Sequence, residues 1–402
     1  MKFLRGIIPL LLFAALMGLP DPGVFVKAET EPETGPGTEE EAGFKLEAEA
    51  ALLMEVNSGK IIWEENSRKK LYPASLTKIM SLLLALEHLQ EGRIALVDSV
   101  RISARASSMG GSEIFLSEGD RVSLEDLLIG MAVGSANDAA VAVAEHISGS
   151  VEGFAELMNE KAASLGLKNS HFCNPHGLHA PDHYSCAYDV MLMSLALLEY
   201  PRIHRWATIW MDEHFLKGKI RSGEVFLSNT NRMIVDYPGC DGLKTGYTRE
   251  GGNSIAATAQ RGKSRFLAVV MGSPTEKERF DAAQMLLDHA FSNYKSVPVV
   301  KKGAEVAVIP MNKGAPHEAA VVAAKNLSLL LPQGAEEDYT KELKIFPFEL
   351  PLKRHQKVGE LRVSYGDGER AAVDLIIEEK VRRAPVGTLF LRMLHRLLRF
   401  GR

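Results

Sequence analysis

Cysteine is scarce in this chain of 402 residues: there are three, Cys173, Cys186 and Cys240. So odd and small a number excludes a disulfide framework, permits at most one bridge and leaves open whether that bridge forms. The core must therefore stand on packing, and no thiol has an activating base beside it in the sequence, so all three read as structural. Aromatic residues are few, at 7%. No apolar run reaches the roughly 18 residues that a membrane-spanning helix needs. An excess of one charge is missing too: 47 Lys and Arg face 51 Asp and Glu, a net charge of −4, which points away from a nucleic-acid partner. With 34 Gly and 18 Pro the chain is neither collagen-like nor wholly disordered. What is present is 46% hydrophobic and 24% charged, enough for a full-sized core spread over two or three domains of about 100–200 residues each.

The two ends differ in character. Lys2 and Arg5 open a segment whose stretch Ile7–Leu19, thirteen residues long, is uncharged and mostly apolar. That length suits the apolar part of an export signal and is too short for a bilayer. Val26-Lys27-Ala28 offers small residues where a signal peptidase reads, so residues 1–28 are expected to be removed, a short N-terminal anchor being the alternative. Residues 29–44 form an acidic linker with six glutamates at 29, 31, 33, 39, 40 and 41; such a segment cannot bury apolar area and is expected to be disordered. From Lys380 to Arg402 there are seven Lys or Arg and no acid. On a helical wheel, Leu389, Phe390, Leu391, Met393, Leu394, Leu397, Leu398 and Phe400 share one face. Arg392, His395, Arg396, Arg399 and Arg402 fill the other. That pattern describes a helix over 381–402 lying in an anionic membrane surface, or else a helix packed on the protein's own body.

Between the ends, Ala50–Val56 and Lys60–Glu64 read as strands around the turn Asn57-Ser58-Gly59. A helix is expected from near Ser75, where Ile79, Met80, Leu82, Leu83, Leu84 and Leu86 follow at helical spacing. Ser123-Leu124-Glu125-Asp126 reads as a capping box, residues 138–146 and 151–165 as helices, and Gly166 as a stop. Ser254–Gln260 and Arg265–Met271 flank the turn Arg261-Gly262-Lys263, and a helix is expected over Pro274–Tyr294. Helices set between two hairpins predict an α+β domain over 45–296 with a largely antiparallel sheet. Beyond it, short strands at Glu305–Ile309, Ala319–Val322, Leu327–Leu331, Lys344–Pro347, Leu361–Tyr365 and Ala372–Ile377 predict a small β-sandwich over 297–380.

Three short motifs carry chemistry. In Ser75-Leu76-Thr77-Lys78 the i, i+3 spacing puts both side chains on one helix face. A serine hydroxyl needs a base to attack a carbonyl, and lysine serves only when neutral, a state that burial and a neighbouring cation favour. Ser67-Arg68-Lys69-Lys70 has the same spacing but sits in a basic stretch with no apolar helix behind it. Ser135-Ala136-Asn137 precedes an apolar helix and by itself would read as an N-cap. Lys244-Thr245-Gly246, followed by Tyr247, offers a cation to a carboxylate, with glycine allowing close backbone approach; otherwise it is a polar strand edge. The histidines at 171, 176, 179 and 183 match no standard zinc spacing, and no metal or cofactor is expected.

Each triplet is weak alone, but in this order and spacing they form the motif set of the penicillin-binding proteins and class A β-lactamases. Within that group the chain resembles the low-molecular-mass D-alanyl-D-alanine carboxypeptidases, in wording closest to those of spore-forming Gram-positive bacteria. The resemblance extends to Tyr72-Pro73-Ala74, Gly134-Ser135-Ala136-Asn137-Asp138-Ala139-Ala140, Asn174-Pro175-His176-Gly177-Leu178, His183-Tyr184-Ser185 and Asp241-Gly242-Leu243, and covers about residues 45–380. It implies a transpeptidase-like domain followed by a β-domain, with the cationic tail as a membrane anchor. It also implies roles. Ser75 attacks the carbonyl between two terminal D-alanines of a peptidoglycan stem peptide, and Lys78 takes its proton. Ser135 relays a proton to the departing D-alanine, while Asn137 holds Lys78 and the substrate amide. Lys244 and Thr245 receive the terminal carboxylate, and the backbone N–H groups of Ser75 and Tyr247 face the oxyanion. β-Lactams are expected to trap Ser75. The chain departs from the family's wording at Asp182 and Cys186, and at Tyr247, where some relatives carry histidine. A β-lactamase would need a deacylating glutamate, and the Asn174–Leu178 region has none. An endopeptidase or transpeptidase acting on cross-links, and a slowly deacylating muropeptide or β-lactam sensor, are the alternatives. The expected location is the outer face of the cytoplasmic membrane.

Overall fold

The computed structural model of the protein describes residues 45–366 and 368–399; the expected export signal and acidic linker lie outside them. In chain order, β1 (Ala50–Glu55) and β2 (Ile61–Glu65) make the first hairpin, and a 3-10 turn at Ala74–Leu76 leads into α1 (Thr77–Gln90). A ribbon of β3 (Ser99–Arg101) and β4 (Arg121–Ser123) brackets the one-turn α2 (Ala104–Ser107) and a loop. Then come α3 (Leu124–Val133), α4 (Asn137–Ser148), α5 (Val151–Leu165), α6 (Ala187–Leu198) and α7 (Arg202–Ala207). The hairpin β5 (Met211–Ile220) and β6 (Gly223–Ser228) precedes α8 (Met233–Asp236), β7 (Cys240–Thr248), β8 (Gly252–Arg261), β9 (Ser264–Ser273) and α9 (Glu276–Asn293).

The helix ends follow local chemistry. Ser123 accepts the Asp126 N–H at the start of α3, but the Asp126 carboxylate takes the Ser123 hydroxyl, so the expected capping box is only half made. A full box forms instead at α9, where Thr275 and Glu278 cap each other and start the helix at Glu276. Gly166, at φ 74°, closes α5 in the left-handed conformation that glycine adopts without strain.

Strands β2-β1-β9-β8-β7 form one antiparallel sheet. Alternation along β1 sends Ala50, Leu52 and Met54 to one face and Ala51 and Leu53 to the other, and both faces are buried. On the first face lies α1, whose Ile79, Met80 and Leu82–Leu86 are buried on nearly every side. That accounts for a helix apolar all round rather than along one stripe. Against the second face packs α9 through Phe280, Ala283, Leu286, Leu287 and Ala290.

The second domain begins where α9 ends. β10 (Tyr294–Val300) pairs with β14 (Leu327–Pro332). A five-stranded sheet runs in the order β11 (Glu305–Pro310), β13 (Glu318–Ala323), β17 (Gly368–Ile377), β16 (Lys357–Tyr365), β15 (Tyr339–Ile345). Val321, Leu329, Val363, Leu375 and Ile377 fill its core. The strand expected at Lys344–Pro347 in fact spans Tyr339–Ile345; it is an exposed edge rich in Lys and Glu, so it shows no apolar alternation. The helix expected over 381–402 starts only at Val386, as α10 (Val386–Arg399), because Arg382–Arg383 form β18 against β12 (Gly314–Ala315). The two domains are joined by buried polar contacts: Ser296 Oγ donates to Glu55 at 2.9 Å and Ser296 N–H to Ser264 Oγ at 2.8 Å.

Candidate active site

Ser75 sits in the 3-10 turn, half-buried, and Lys78 lies in the first turn of α1, fully buried. The spacing brings Lys78 Nζ to 3.1 Å from Ser75 Oγ. Two further oxygens face the same nitrogen: Asn137 Oδ1 at 2.7 Å and the His176 carbonyl at 2.8 Å. The Asn137 amide nitrogen donates to the Gly110 carbonyl at 2.8 Å, which aims its oxygen at the lysine. Burial, then the charge of Lys244, holds the Lys78 pKa well below the ordinary lysine range, and Asp138 opposes them. This amine is therefore poised to be neutral.

The Ser135-Ala136-Asn137 triplet is not an N-cap. Ala136 occupies that position with no side-chain cap, and Asn137 turns inward to Lys78. Ser135 is buried at φ 61°, a left-handed conformation that an L side chain adopts only when its surroundings impose it.

Lys244 lies in the middle of β7, fully buried, its Nζ donating to the Thr245 carbonyl at 3.2 Å. Among the described residues no carboxylate pairs with it. Burial and then Arg279 push its pKa down to about 7. Thr245 Oγ1 donates to Thr230 Oγ1 at 2.7 Å. At Gly246 a Cβ would come within 3.0 Å of Ser75 N and 3.1 Å of the Pro73 carbonyl, so β7 lies against the turn that carries Ser75 only because that side chain is missing. Tyr247 is 64% exposed at the rim.

Thus Ser75 and Asn137 both meet Lys78, Gly246 abuts Ser75, and Lys244 lies close enough for its charge to act on Lys78, while Ser135 is buried two residues before Asn137. Several participants were not legible in the sequence. The His176 carbonyl is a backbone group with no signature of its own. His183 accepts the Cys173 N–H on Nδ1 at 3.0 Å, so Nε2 carries the proton and donates to Thr77 Oγ1 at 2.7 Å. Burial pushes His183 to about 4 and His176 to about 3, so both are neutral. Arg279 is buried behind β7 and donates to the Gly246 carbonyl at 3.3 Å. The three cysteines are free thiols, and burial pushes Cys186 up to about 12 and Cys240 to about 11.

Comparison with known proteins places the chain in a family. The D-alanyl-D-alanine carboxypeptidase family model matches residues 36–275, and that of the penicillin-binding protein 5 C-terminal domain matches residues 294–383. The chain is 42% identical over 325 residues to the D-alanyl-D-alanine carboxypeptidase DacF of Bacillus subtilis, covering 80% of this chain and 82% of that one. Penicillin-binding protein 5 of Haemophilus influenzae superposes with a TM-score of 0.70 at 30% identity, over 84% of this chain and 98% of that one. Penicillin-binding protein D2 of Listeria monocytogenes, solved in an ampicillin-bound form, superposes with a TM-score of 0.55 at 27% identity, over 61% and 98% of the two chains. Two consecutive domain matches, together with the 42% identity to a carboxypeptidase over most of both chains, establish that the chain belongs to the D-alanyl-D-alanine carboxypeptidase family.

Proposed function

We propose that the enzyme removes the terminal D-alanine from peptidoglycan pentapeptide stems through an acyl-serine intermediate, with Ser75 as nucleophile and Lys78 as base. The observation that carries this reading is the set of partners around Lys78 Nζ. A neutral amine has two N–H donors and one lone pair. Asn137 Oδ1 and the His176 carbonyl accept the two N–H groups, which leaves the lone pair facing the Ser75 hydroxyl. Ser75 Oγ then bonds to the scissile carbonyl carbon as its proton passes to Lys78. The tetrahedral oxyanion faces the backbone N–H groups of Ser75 and Tyr247, donors set in advance for charge that appears only in the transition state. As the C–N bond breaks, Lys78 returns the proton through Ser135 to the departing amine. Water then attacks the ester with Lys78 again as base, releasing the shortened peptide.

Substrate choice follows from Lys244. A buried cation that no carboxylate pairs with among the described residues favours a substrate that brings one, and the contact is charge-assisted. A peptide ending in D-alanine supplies that carboxylate, and a β-lactam carries its counterpart beside a strained amide, so penicillins are expected to acylate Ser75. The reading extends to location: residues 1–28 export the chain, and α10 holds it on the outer face of the cytoplasmic membrane. In support, Val386, Phe390, Leu391, Met393 and Leu394 are exposed, while Arg392 donates to the Gly314 carbonyl at 2.8 Å and braces the helix on the β-domain.

The test is an intact mass with peptide mapping after incubating the chain lacking residues 1–28 with a penicillin, beside Ser75→Ala. A stoichiometric adduct on Ser75, absent from the variant, together with D-alanine release from a pentapeptide, is the expected result. No adduct on folded protein would overturn the mechanism. An adduct without D-alanine release would move the activity to cross-links or to sensing.

A further inference from the structure

Next to Asn137 lies an acid that the mechanism above does not use. Asp138 is 2% exposed, and among the described residues no cation pairs with its carboxylate. It is met by backbone donors instead: the N–H of Ile114 at 3.1 Å, of Leu116 at 3.1 Å and of Ala139 at 2.8 Å. The first two belong to the loop between α2 and β4. That loop in turn holds Asn137: the Ser112 carbonyl accepts the Asn137 N–H at 2.7 Å, and the Gly110 carbonyl accepts its amide nitrogen at 2.8 Å. Between them Gly111, at φ +87°, leaves open a space where a Cβ would lie 2.9 Å from that same amide nitrogen. Phe115, between the two gripped residues, is held at φ 56° and is 61% exposed.

We propose that Asp138 is a positioning residue: its carboxylate clamps the Gly110–Leu116 loop onto the start of α4, and the loop locks the Asn137 amide with its oxygen on Lys78. The inference rests on the reading of Ser75 and Lys78 as nucleophile and base. A carboxylate suits the task because it only accepts, and three N–H donors converge on it. An asparagine in its place would turn an NH2 toward those donors and release the loop. Freed, the Asn137 amide can present its nitrogen to Lys78, and the lone pair no longer faces Ser75.

The same carboxylate acts on Lys78 through its charge. Lys78 is faced by Lys244 from β7, by the neutral His176 from its loop and by Asp138 from α4; of the two charged neighbours, Lys244 lowers the lysine pKa and Asp138 raises it. Glu113, on the clamped loop, is itself raised by burial and then by Asp138. The base acts when neutral, so acylation rises with pH through the Lys78 pKa. Removing the Asp138 charge lowers that pKa and carries the acidic limb to lower pH.

The experiment measures the second-order rate of acylation by a fluorescent penicillin against pH for wild type, Asp138→Asn, Asp138→Glu and Gly111→Ala. Asp138→Asn is expected to lose about 10–100-fold, the scale of a misplaced reacting group, with its acidic limb displaced to lower pH. Asp138→Glu keeps the limb in place and recovers part of the rate. Gly111→Ala, which pushes on the Asn137 amide without changing charge, loses rate with the limb unmoved. Asp138→Asn at the wild-type rate, or slowed with an unmoved limb, overturns the proposal. Should Asp138→Asn fail to fold, Gly111→Ala decides, and its acylation at the wild-type rate overturns it equally. Wild type that takes no penicillin would instead overturn the assignment of Ser75 and Lys78.

Discussion

Two buried lysines take opposite roles in the proposed mechanism, and their surroundings separate them. Lys78 has three oxygen partners and in the proposed mechanism acts when neutral; Lys244 has one carbonyl and in the same proposal must be charged to attract a carboxylate. Lys244 sits near its balance point, about 7, so its charge is lost as pH rises through that value. KM for a carboxylate-ended peptide is therefore expected to climb above about pH 7, with kcat less affected because the bound carboxylate restores the charge; steady-state kinetics against pH would check this. The fold also pays for a buried cation. Below about pH 7 both folded and unfolded chains hold this proton, and the penalty is full. Above it the folded state releases the proton while the unfolded state keeps it until lysine's ordinary range, so the penalty falls as pH rises. Lys244→Met should consequently melt at the same temperature as wild type or a few degrees higher at mildly acidic pH, while losing about 100-fold or more in peptide turnover. A large loss of melting temperature would show that Lys244 is structural.

At the scale of elements, the site is a meeting of four backbone segments, and small residues set how closely they approach. Gly177 is the tightest of these contacts: at φ +89° a Cβ there would overlap the Ala74 carbonyl oxygen and press on Thr77 Oγ1. Gly177→Ala combines backbone strain with that overlap and is expected to destabilise by about 3 kcal/mol or more, while moving the His176 carbonyl off Lys78 and slowing acylation about 100-fold. Thermal unfolding and penicillin acylation measured together would test it, and wild-type values in both would refute it. This junction also marks where reading the sequence stops. Ser75 and Lys78 could be paired in advance because one helical turn determines their separation. Asn174-Pro175-His176-Gly177 could be noticed as a motif, yet its contribution is a carbonyl that arrives 98 residues away from Lys78. The hairpin β5–β6 left no clear signal either, since its strands alternate only over Val225–Leu227 and break register twice.

For the whole molecule, none of the site residues among the described residues lies in the β-domain or α10, and Arg392 ties α10 to the β-domain at the Gly314 carbonyl. A chain ending at Pro385 keeps β18 paired with β12 and removes only the helix. It is expected to leave the membrane fraction while turning over a soluble peptide at the full-length rate; retention with the membrane would sink the anchor. What the sequence determined alone was local or periodic. It set the apolar runs and flanking turns of β1 and β9, the apolar α1, the i, i+3 serine and lysine, the cationic amphipathic tail and the order of three motifs. Each depends on a neighbour within a turn or a strand's length. The tertiary structure decided what depends on distant chain: that Asn137 turns inward to Lys78 rather than capping a helix, and that His176 and Gly110 lend carbonyls. It also decided that Arg279 stands behind Lys244 and that Asp138 grips a loop 22 to 24 residues away. Desolvation and electrostatics act through space, so the protonation states on which the chemistry turns exist only once the sheet and helices have closed around them.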